Sequence, residues 1–444
     1  MTEKLRAATE EAWPRVRSDL ERLVRIPSVS FSGFDPAPVR RSAEKTAEIL
    51  SSCGVGGVRL LEIDGAHPGV FGEVSAPAGA PTVLLYAHHD VQPPGETAEW
   101  GSPPFEPTER NGRLFGRGSC DDKAGVVLHE SALLAHDGKP PVGIKVFIEG
   151  EEEVGSPNLE AFLEKYRDEL EADVFVLTDA TNWRAGVPGL TTKLRGLVDC
   201  IVEVRTLNHA VHSGMYGGPF PDAITVLSRV LATLHDEKGN VAIEGLTSGA
   251  NDPLDLTEDE LREQTSAVDG LQPIGEGAFT ERLWTRPSVS VLGIDAPRLS
   301  EAGNVLVPVA RAKVSLRLAP GDDPERAMDA LVRHLESSVP WGAQVHVERG
   351  AGAWPIAVDA TGPAFDAARR AFQEAWGTEA VEIGAGGTIP FVKAFAGAYP
   401  DAAILLTGVE DPDGRAHAAN ESLLLDDFRK VCLAEALLLE YLAI

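Results

Sequence analysis

The sequence VLLYAHHD, residues 83–90, sets a short apolar run directly before two histidines and an aspartate. A continuous apolar run of this length is typical of a strand buried on both faces of a parallel sheet. In open α/β sheets, ligands bind beyond the carboxyl ends of such strands. We therefore expect His88, His89 and Asp90 to lie at a ligand-binding edge of a sheet.

Three further runs repeat this pattern along the chain. They read IKVFI (144–148), VFVLT (174–178) and ILLT (404–407), and acidic or histidine residues follow each of them: EGEEE at 149–153, Asp179, and His417 after a short loop. The segment GRGSCDDKAG (116–125), between the first two runs, adds Asp121 and Asp122. One crevice at the sheet edge is thus predicted to collect imidazoles and carboxylates.

Helical stretches separate these runs, and they predict the fold class. Residues 123–136 and 157–171 read as helices, the second with Ser156 as its N-cap and Pro157 as its first residue. Strands that alternate with helices indicate an α/β domain in which helices cover a mostly parallel sheet.

The pattern changes between about residue 190 and residue 350. Alternating segments at 199–204, 288–292, 311–318 and 344–348 predict half-buried strands of an antiparallel sheet, interrupted by a polar insertion at about 244–277. The α/β pattern returns after about Trp354. We therefore predict a discontinuous α/β domain, residues 1–189 and 353–444, with an α+β domain inserted at 190–352.

The length, net charge and cysteine spacing of the chain limit its domain organisation and the classes of partner it can bind. A chain of 444 residues exceeds one typical hydrophobic core, which agrees with two domains. The formal net charge of −28 argues against nucleic acid or an anionic membrane as a partner. The four cysteines are far apart, which disfavours a disulfide framework or a cysteine zinc site. With no membrane-spanning run and no secretory signal at the N-terminus, we expect a cytoplasmic protein.

The predicted crevice needs positive charge, because several carboxylates within a few ångströms repel one another. Histidine and carboxylate ligands without thiolate suit zinc, and manganese or cobalt remain possible. One carboxylate that bridges two divalent ions would use five protein ligands economically, and such a pair can activate water and polarise a carbonyl. Taken singly, EGEEE could be a solvated loop and DDK a helix N-terminus. Their conjunction at the ends of predicted strands indicates a metal site.

At these residues the sequence resembles the cocatalytic-zinc metallopeptidase family that includes carnosinase, bacterial dipeptidases, carboxypeptidase G and acetylornithine deacetylase. The matching segments cover the chain from about residue 23 to 421 and read RIPSVS (25–30), YAHHDVQP (86–93), LFGRGSCDDKAG (114–125), EGEEEVGSPNLE (149–160), HSGMYGG (212–218), AGGTIP (385–390) and AHAANE (416–421). The resemblance implies that residues 1–189 and 353–444 form a zinc-exopeptidase-like catalytic domain. It also implies that the inserted α+β domain at 190–352 is a lid and dimerisation domain, through which a homodimer forms.

The resemblance also implies a ligand for each of two ions. His88 and Asp179 would bind one ion, Glu153 and His417 the second, and Asp121 would bridge them.

Two further roles follow from the same resemblance. Glu152 would be the general base that activates a metal-bridging water, since a ligated glutamate is a poor base. Asp90 would orient His88, and the spacing of two residues in extended backbone places both side chains on one face.

The inserted domain would contribute to substrate binding. His212 resembles the histidine that reaches the substrate carbonyl, in dimeric relatives across the subunit interface, and Arg317 the arginine that holds the substrate carboxylate. Asn304, Gly387 and Thr388 are further substrate-contact candidates. Dipeptidase relatives often carry an Arg-Glu pair where this chain has Gly384 and Ala385, so the resemblance leaves the substrate contacts near that loop undecided.

The leading functional hypothesis is a dipeptidase or exopeptidase, because aspartate at position 179 accompanies that activity in the family. An N-acyl amino acid deacylase is the alternative within hydrolases. A non-catalytic binding protein on the same fold is the alternative outside them, and the retention of Glu152 with all five ligands argues against it.

Overall fold

The computed structural model describes residues 1–249, 254–387 and 390–443. The helices are α1 (Thr2–Val24), α2 (Ala37–Ser52), α3 (Lys123–Ala135), α4 (Leu159–Lys165), α5 (Arg167–Leu170), α6 (Ser213–Tyr216), α7 (Ala223–Ala232), α8 (Glu258–Thr265), α9 (Pro324–Ser337), α10 (Pro363–Trp376), α11 (Pro390–Ala398) and α12 (Leu425–Leu442). The strands are β1 (Gly56–Leu61), β2 (Gly69–Val74), β3 (Thr82–His88), β4 (Thr108–Arg110), β5 (Arg113–Phe115), β6 (Gly143–Glu149), β7 (Val174–Leu177), β8 (Gly189–Leu194), β9 (Gly196–Arg205), β10 (Val211–His212), β11 (Ser288–Asp295), β12 (Val305–Leu306), β13 (Val309–Leu318), β14 (Gln344–Ala353), β15 (Ile356–Ala357), β16 (Val381–Ala385), β17 (Ala403–Leu406) and β18 (Ser422–Leu424).

The contacts divide the chain into two compact units. The first unit contains Met1–Thr192, Val358–Ile383 and the C-terminal segment; the second contains Lys193–Ala357 and a short segment that begins at Gly384. The predicted boundaries lie at 189/190 and 352/353, and the assignment of a catalytic and a lid role to the two parts stays a prediction.

The main sheet of the first unit has the order β1-β2-β6-β3-β7-β17-β8, with β16 also paired to β8. The four apolar runs predicted as buried strands are its centre: β6, β3, β7 and β17 are neighbours, and all three pairings between them are parallel. Antiparallel strands flank this centre on both sides. The prediction of a parallel sheet whose strands end at one edge is therefore confirmed.

Helix α3 links the first two of these strands and is buried on nearly every side. It begins behind Asp122, whose side chain accepts a hydrogen bond from the backbone N–H of Gly125 and so caps the helix. Its continuous apolar surface packs against α1, α12 and β3, which explains why its sequence lacks a polar face. Because α3 is fixed on all sides, the loop before it, which carries Asp121, has a fixed end.

The second unit is built on an antiparallel sheet of order β11-β13-β9-β14. Each of the four alternating segments predicted from the sequence forms one of these strands. Helices α7 and α9 cover one face. In α9, Ala327, Leu331 and Leu335 are buried at intervals of four residues, as an amphipathic helix on a sheet requires.

The prediction of one helix over 157–171 is wrong. The chain forms two short helices, α4 and α5, and the first begins behind Asn158 rather than Ser156. Ser156 adopts a positive φ of 52°, and its backbone N–H donates to Glu151 O in a tight turn. A residue in that conformation cannot serve as an N-cap, which requires extended backbone.

No helix among the described residues has both the length and the hydropathy that a membrane span requires.

The packing around α11 yields a stability prediction. The ring of Phe395 is fully buried and lies with its centroid 5.5 Å from that of Tyr86 and 5.1 Å from that of Phe175. Phe395→Ala should therefore lower the free energy of unfolding by about 3–5 kcal/mol, measured by equilibrium denaturation in urea. Phe34→Ala, at a ring that is 48% exposed, is the control and should change it little. A loss below about 1 kcal/mol for Phe395→Ala would contradict this packing.

Candidate metal centre

The carboxylate of Asp121 lies between two imidazoles. His88 Nε2 is 3.0 Å from Asp121 Oδ1, and His417 Nε2 is 3.0 Å from Asp121 Oδ2. His88 ends β3, Asp121 precedes α3, and His417 lies in the loop after β17, so three distant parts of the sequence meet here. Each oxygen of one carboxylate thus faces its own imidazole nitrogen.

Each imidazole has a further carboxylate beside it. Asp179 Oδ1 lies 3.8 Å from His88 Nε2, whereas Glu153 Oε2 lies 3.1 Å from His417 Nε2. Glu152 Oε2 lies 4.0 Å from His88 Nε2. All five predicted ligands, with the neighbouring Glu152, are therefore in one cluster.

The spacing of these donor atoms fits a metal centre. Two ligands at about 2.1 Å from a shared ion in tetrahedral geometry lie about 3.4 Å apart. The nitrogen-to-oxygen distances in the cluster run from 3.0 to 3.8 Å and bracket that value. His88 Nδ1 lies 3.2 Å from the backbone O of Asp90 and 3.3 Å from its Oδ1, so this nitrogen carries the proton and Nε2 is free to bind a cation.

The acids of the cluster are electrostatically crowded. Burial raises the pKa of Glu153 to about 7, and the charge of Asp121 adds to the rise. Burial, followed by the charge of Asp179, raises the pKa of Glu152 well above its ordinary value. Burial and the neighbouring negative charge both disfavour the ionised carboxylates. A cation among these groups would therefore stabilise their ionised form.

The pKa values of the two imidazoles are raised as well, which favours their protonated, cationic forms. Burial lowers the pKa of His88, but its hydrogen bonds to carboxylates, first that to Asp121, leave it well above the ordinary value. The pKa of His417 is raised by its hydrogen bonds to Asp121 and Glu153. The carboxylates of the cluster therefore favour positive charge beside them, which is also where a metal ion would bind.

Asp90 is a fully buried hub beneath the cluster. Its carboxylate accepts hydrogen bonds from Ser30 Oγ at 2.6 Å and from the backbone N–H groups of Glu152 at 3.2 Å and Glu153 at 3.1 Å. Burial opposes its ionisation, but the hydrogen bond from His88 and that from Ser30 hold the pKa of Asp90 below its ordinary value. One carboxylate thus fixes both an imidazole and the backbone of the two adjacent glutamates.

Glu421 has a similar position near Asp121 and His417. Its buried carboxylate accepts hydrogen bonds from Arg117 Nη1 at 2.6 Å and from the backbone N–H groups of Gly118 and Cys120, both at 3.0 Å. It therefore ties the loop before Asp121 to the loop that carries His417. His417 itself has a positive φ of 63°, which is uncommon outside glycine and typical of strained functional loops.

Several of these residues were not predicted from the sequence. Gln92 donates to Glu153 Oε2 at 2.7 Å through its side chain, and Glu410 offers an oxygen within 4.8 Å of oxygens of Asp121 and Asp179. Glu410 could have been found from its place just after the fourth apolar run. His89, in contrast, has its ring Nε2 2.9 Å from Pro68 O and belongs to none of the metal-ligand groups among the described residues.

The remaining predicted residues lie in the second unit. His212 and Asn304 are exposed. They lie near each other, since the backbone N–H of Ser213 donates to Asn304 O. Arg317 is half-buried on β13, and Gly387 is exposed. Thr388 lies outside the described residues.

Arg195 connects the Arg317 region with the segment that begins at Gly384. Its side chain donates to Gly386 O at 3.2 Å and to Ser288 Oγ at 2.9 Å, and Ser288 is the cross-strand partner of Arg317. Burial, followed by the charge of Arg317, lowers the pKa of Arg195 to about 10. Two guanidinium groups and the backbone before Gly387 are thus neighbours within the second unit.

Comparisons with known proteins agree with this arrangement. A cysteinylglycine-S-conjugate dipeptidase of Corynebacterium striatum is 35% identical over 433 residues, which cover 94% of this chain and 94% of that protein. A beta-Ala-His dipeptidase of Homo sapiens is 30% identical over 378 residues, which cover 80% of this chain and 74% of that protein. The crystal structure of human carnosine dipeptidase 1 superposes with a TM-score of 0.83 at 26% identity, over 100% of this chain and 99% of that one. The predicted fold class is therefore confirmed.

The model of one peptidase family matches residues 84–441, and that range contains His88, Asp121, Glu152, Glu153, Asp179 and His417. The chain belongs to peptidase family M20/M25/M40.

Proposed function

We propose that the chain is a metal-dependent dipeptidase. The observation that carries the proposal is the Asp121 carboxylate with an imidazole 3.0 Å from each oxygen and a further acid beside each imidazole. The curated relatives named above are dipeptidases, which supports dipeptides as substrates and does not favour the N-acyl amino acid deacylase alternative.

The ligand roles follow the two halves of the cluster. His88, Asp121 and Asp179 would hold one ion, and Asp121, Glu153 and His417 the other, with zinc the proposed metal because the ligands are imidazole and carboxylate. When bound, the two ions would lower the pKa of water and polarise the scissile carbonyl.

Glu152 is the proposed general base. None of the described residues donates a hydrogen bond to its carboxylate, whereas its backbone N–H is fixed by Asp90. The side chain is thus free to take a proton from the attacking water and to pass it to the leaving amine.

The contrast between Glu152 and Asp121 tests this function. Glu152→Gln should keep both ions and lose about 10²–10⁴ in kcat, because only the base is removed. Asp121→Ala should lose both ions together with activity. Elemental analysis and turnover of a panel of dipeptides and N-acetyl amino acids measure the two effects. A wild-type protein that cleaves N-acetyl amino acids but no dipeptide would overturn the proposal.

Asp90 is proposed to orient His88 and the backbone of Glu152. Asp90→Asn keeps the volume but replaces an acceptor by a donor that faces N–H groups. Metal affinity should fall by about 10–100-fold, measured by competition with a chelator. Asp64→Asn, at an exposed acid, is the control. Unchanged affinity in Asp90→Asn would show that His88 needs no such support.

Arg317 is proposed to bind the free carboxylate of the substrate. Its support is a half-buried guanidinium beside Arg195, in a region that also holds the backbone before Gly387. Gly387 and Thr388 are proposed as further substrate contacts there. An anion is a natural ligand for such a pair of guanidinium groups.

Arg317→Ala should retain both metals and lose discrimination for a free carboxyl group. The measurement is the ratio of kcat/KM for a free dipeptide to that for its C-terminal amide. We expect this ratio to fall at least tenfold in Arg317→Ala and to recover only partly in Arg317→Lys, which lacks the planar fork. An unchanged ratio would move the carboxylate site away from Arg317.

A homodimer through the second unit is also proposed, with His212, and Asn304 beside it, acting on the substrate bound by the partner. Its support is the edge strand β11, whose exposed side chains include Leu292 at 62% and Ile294 at 56%. An unpaired edge with apolar side chains can pair with its copy around a two-fold axis.

Leu292→Asp should convert the protein to monomers in sedimentation and lower its activity. Gln344→Asp, on the opposite edge strand β14, is the control and should do neither. A wild-type protein that is monomeric and fully active would refute the action of His212 across an interface.

A cytoplasmic location is proposed as well. Its support is the set of four cysteines, all of them buried and free of disulfides.

A further inference from the structure

Glu410 lies at the cluster but has no role in the function proposed above. It follows β17, and its backbone O accepts a hydrogen bond from Asn182 N–H at 2.8 Å, which fixes it beside the segment after Asp179. Its side chain is half-buried, and one carboxylate oxygen lies within 4.8 Å of oxygens of both Asp121 and Asp179. The carboxylate is therefore held at the cluster while part of it stays accessible.

The other acids near the cluster have partners of their own. Asp122 caps α3, Glu149 accepts from Tyr86 Oη at 2.7 Å, and Glu421 accepts from Arg117. Asp90 and Glu151 accept from backbone N–H groups. The carboxylate of Glu410 receives no hydrogen bond or ion pair from any of the residues that the structure describes.

The charge of the centre leaves Glu410 uncompensated. Two divalent ions would balance the carboxylates of the three acidic ligands and of the base Glu152. Glu410 then adds a negative charge that none of these ions offsets. A half-buried carboxylate without a counter-ion is costly, and a small cation that arrives with the substrate would remove the cost.

The substrate of a dipeptidase supplies such a cation. In a dipeptide the α-ammonium nitrogen is about 2.5 Å from the scissile carbonyl carbon, from the standard bond lengths and angle. Its receptor must therefore be an acid beside the metal ions rather than a group in a remote pocket. A charge-assisted hydrogen bond at that position also gives direction to the substrate.

We propose that Glu410 binds the free α-ammonium group of the substrate and so selects dipeptides over N-acylated compounds. This inference rests on the proposed dipeptidase function and names the residue that reads the amino end. Glu410 is then a specificity residue that touches the substrate and not a metal ligand.

Alanylglycine and N-propanoylglycine test the inference, since they differ only in the amino group. Glu410→Gln keeps the shape of the side chain and removes its charge. It should lower kcat/KM for alanylglycine by about 10–100-fold, the usual loss for a hydrogen bond to a charged group. The inhibition constant of N-propanoylglycine should stay equal or fall. Glu410→Asp, which restores the charge on a shorter side chain, should recover part of the loss.

Metal content separates this role from the alternatives. Elemental analysis should find the same content in Glu410→Gln, in wild type and in the control Glu160→Gln, which changes an exposed acid on α4. Loss of metal from Glu410→Gln, equal weakening of both compounds, or unchanged kcat/KM for alanylglycine would each overturn the inference alone. A wild-type protein that hydrolyses no dipeptide would overturn the proposed function and this inference together.

Discussion

The carboxylate of Asp121, with an imidazole 3.0 Å from each oxygen, is the interaction around which the first unit is arranged. Asp121 lies in the loop before α3, its two imidazole neighbours come from the end of β3 and from the loop after β17, and parallel strands bring these segments to one edge. The same convergence concentrates negative charge, which protein side chains alone would not balance. The fold therefore creates both the geometry of a metal centre and the electrostatic need for one.

The structure holds this charge in place mostly with neutral donors. Asp90 and Glu421 both lie buried behind the proposed ligands, and both accept hydrogen bonds from backbone N–H groups. Such donors stabilise an anion without adding a full positive charge that would compete with metal ions. Gln92 serves Glu153 in the same way through its amide. Arg117 is a charged donor among the described residues, and its charge is directed to Glu421 rather than to a proposed ligand.

The four central strands of the main sheet could be predicted because strands buried on both faces have continuous apolar sequences. The residues just after those runs include every proposed ligand except Asp121, which a motif located. The prediction of one helix over 157–171 was wrong because Ser156 has a positive φ in a turn that its N–H closes with Glu151 O. The local sequence pattern does not show this turn. Glu410 was missed although it lies just after the fourth apolar run, because the prediction names His417, farther along the same loop, as the residue that follows this run. The roles of Arg317 and His212 come from a resemblance and stay predictions.

The short segment that begins at Gly384 has a practical consequence. It begins inside β16, but it belongs to the second unit. There Ala385 O and Gly386 O accept hydrogen bonds from Arg195, and a side chain at Gly384 would collide with Trp284. An isolated fragment of residues 193–357 would thus lack the carbonyl acceptors of the Arg195 backbone N–H and of its Nε. It would also expose the indole of Trp284, which is buried in the full chain. A fragment intended to preserve the second unit needs this peptide joined back through a designed linker, and a chimera that exchanges the unit between relatives must exchange both pieces.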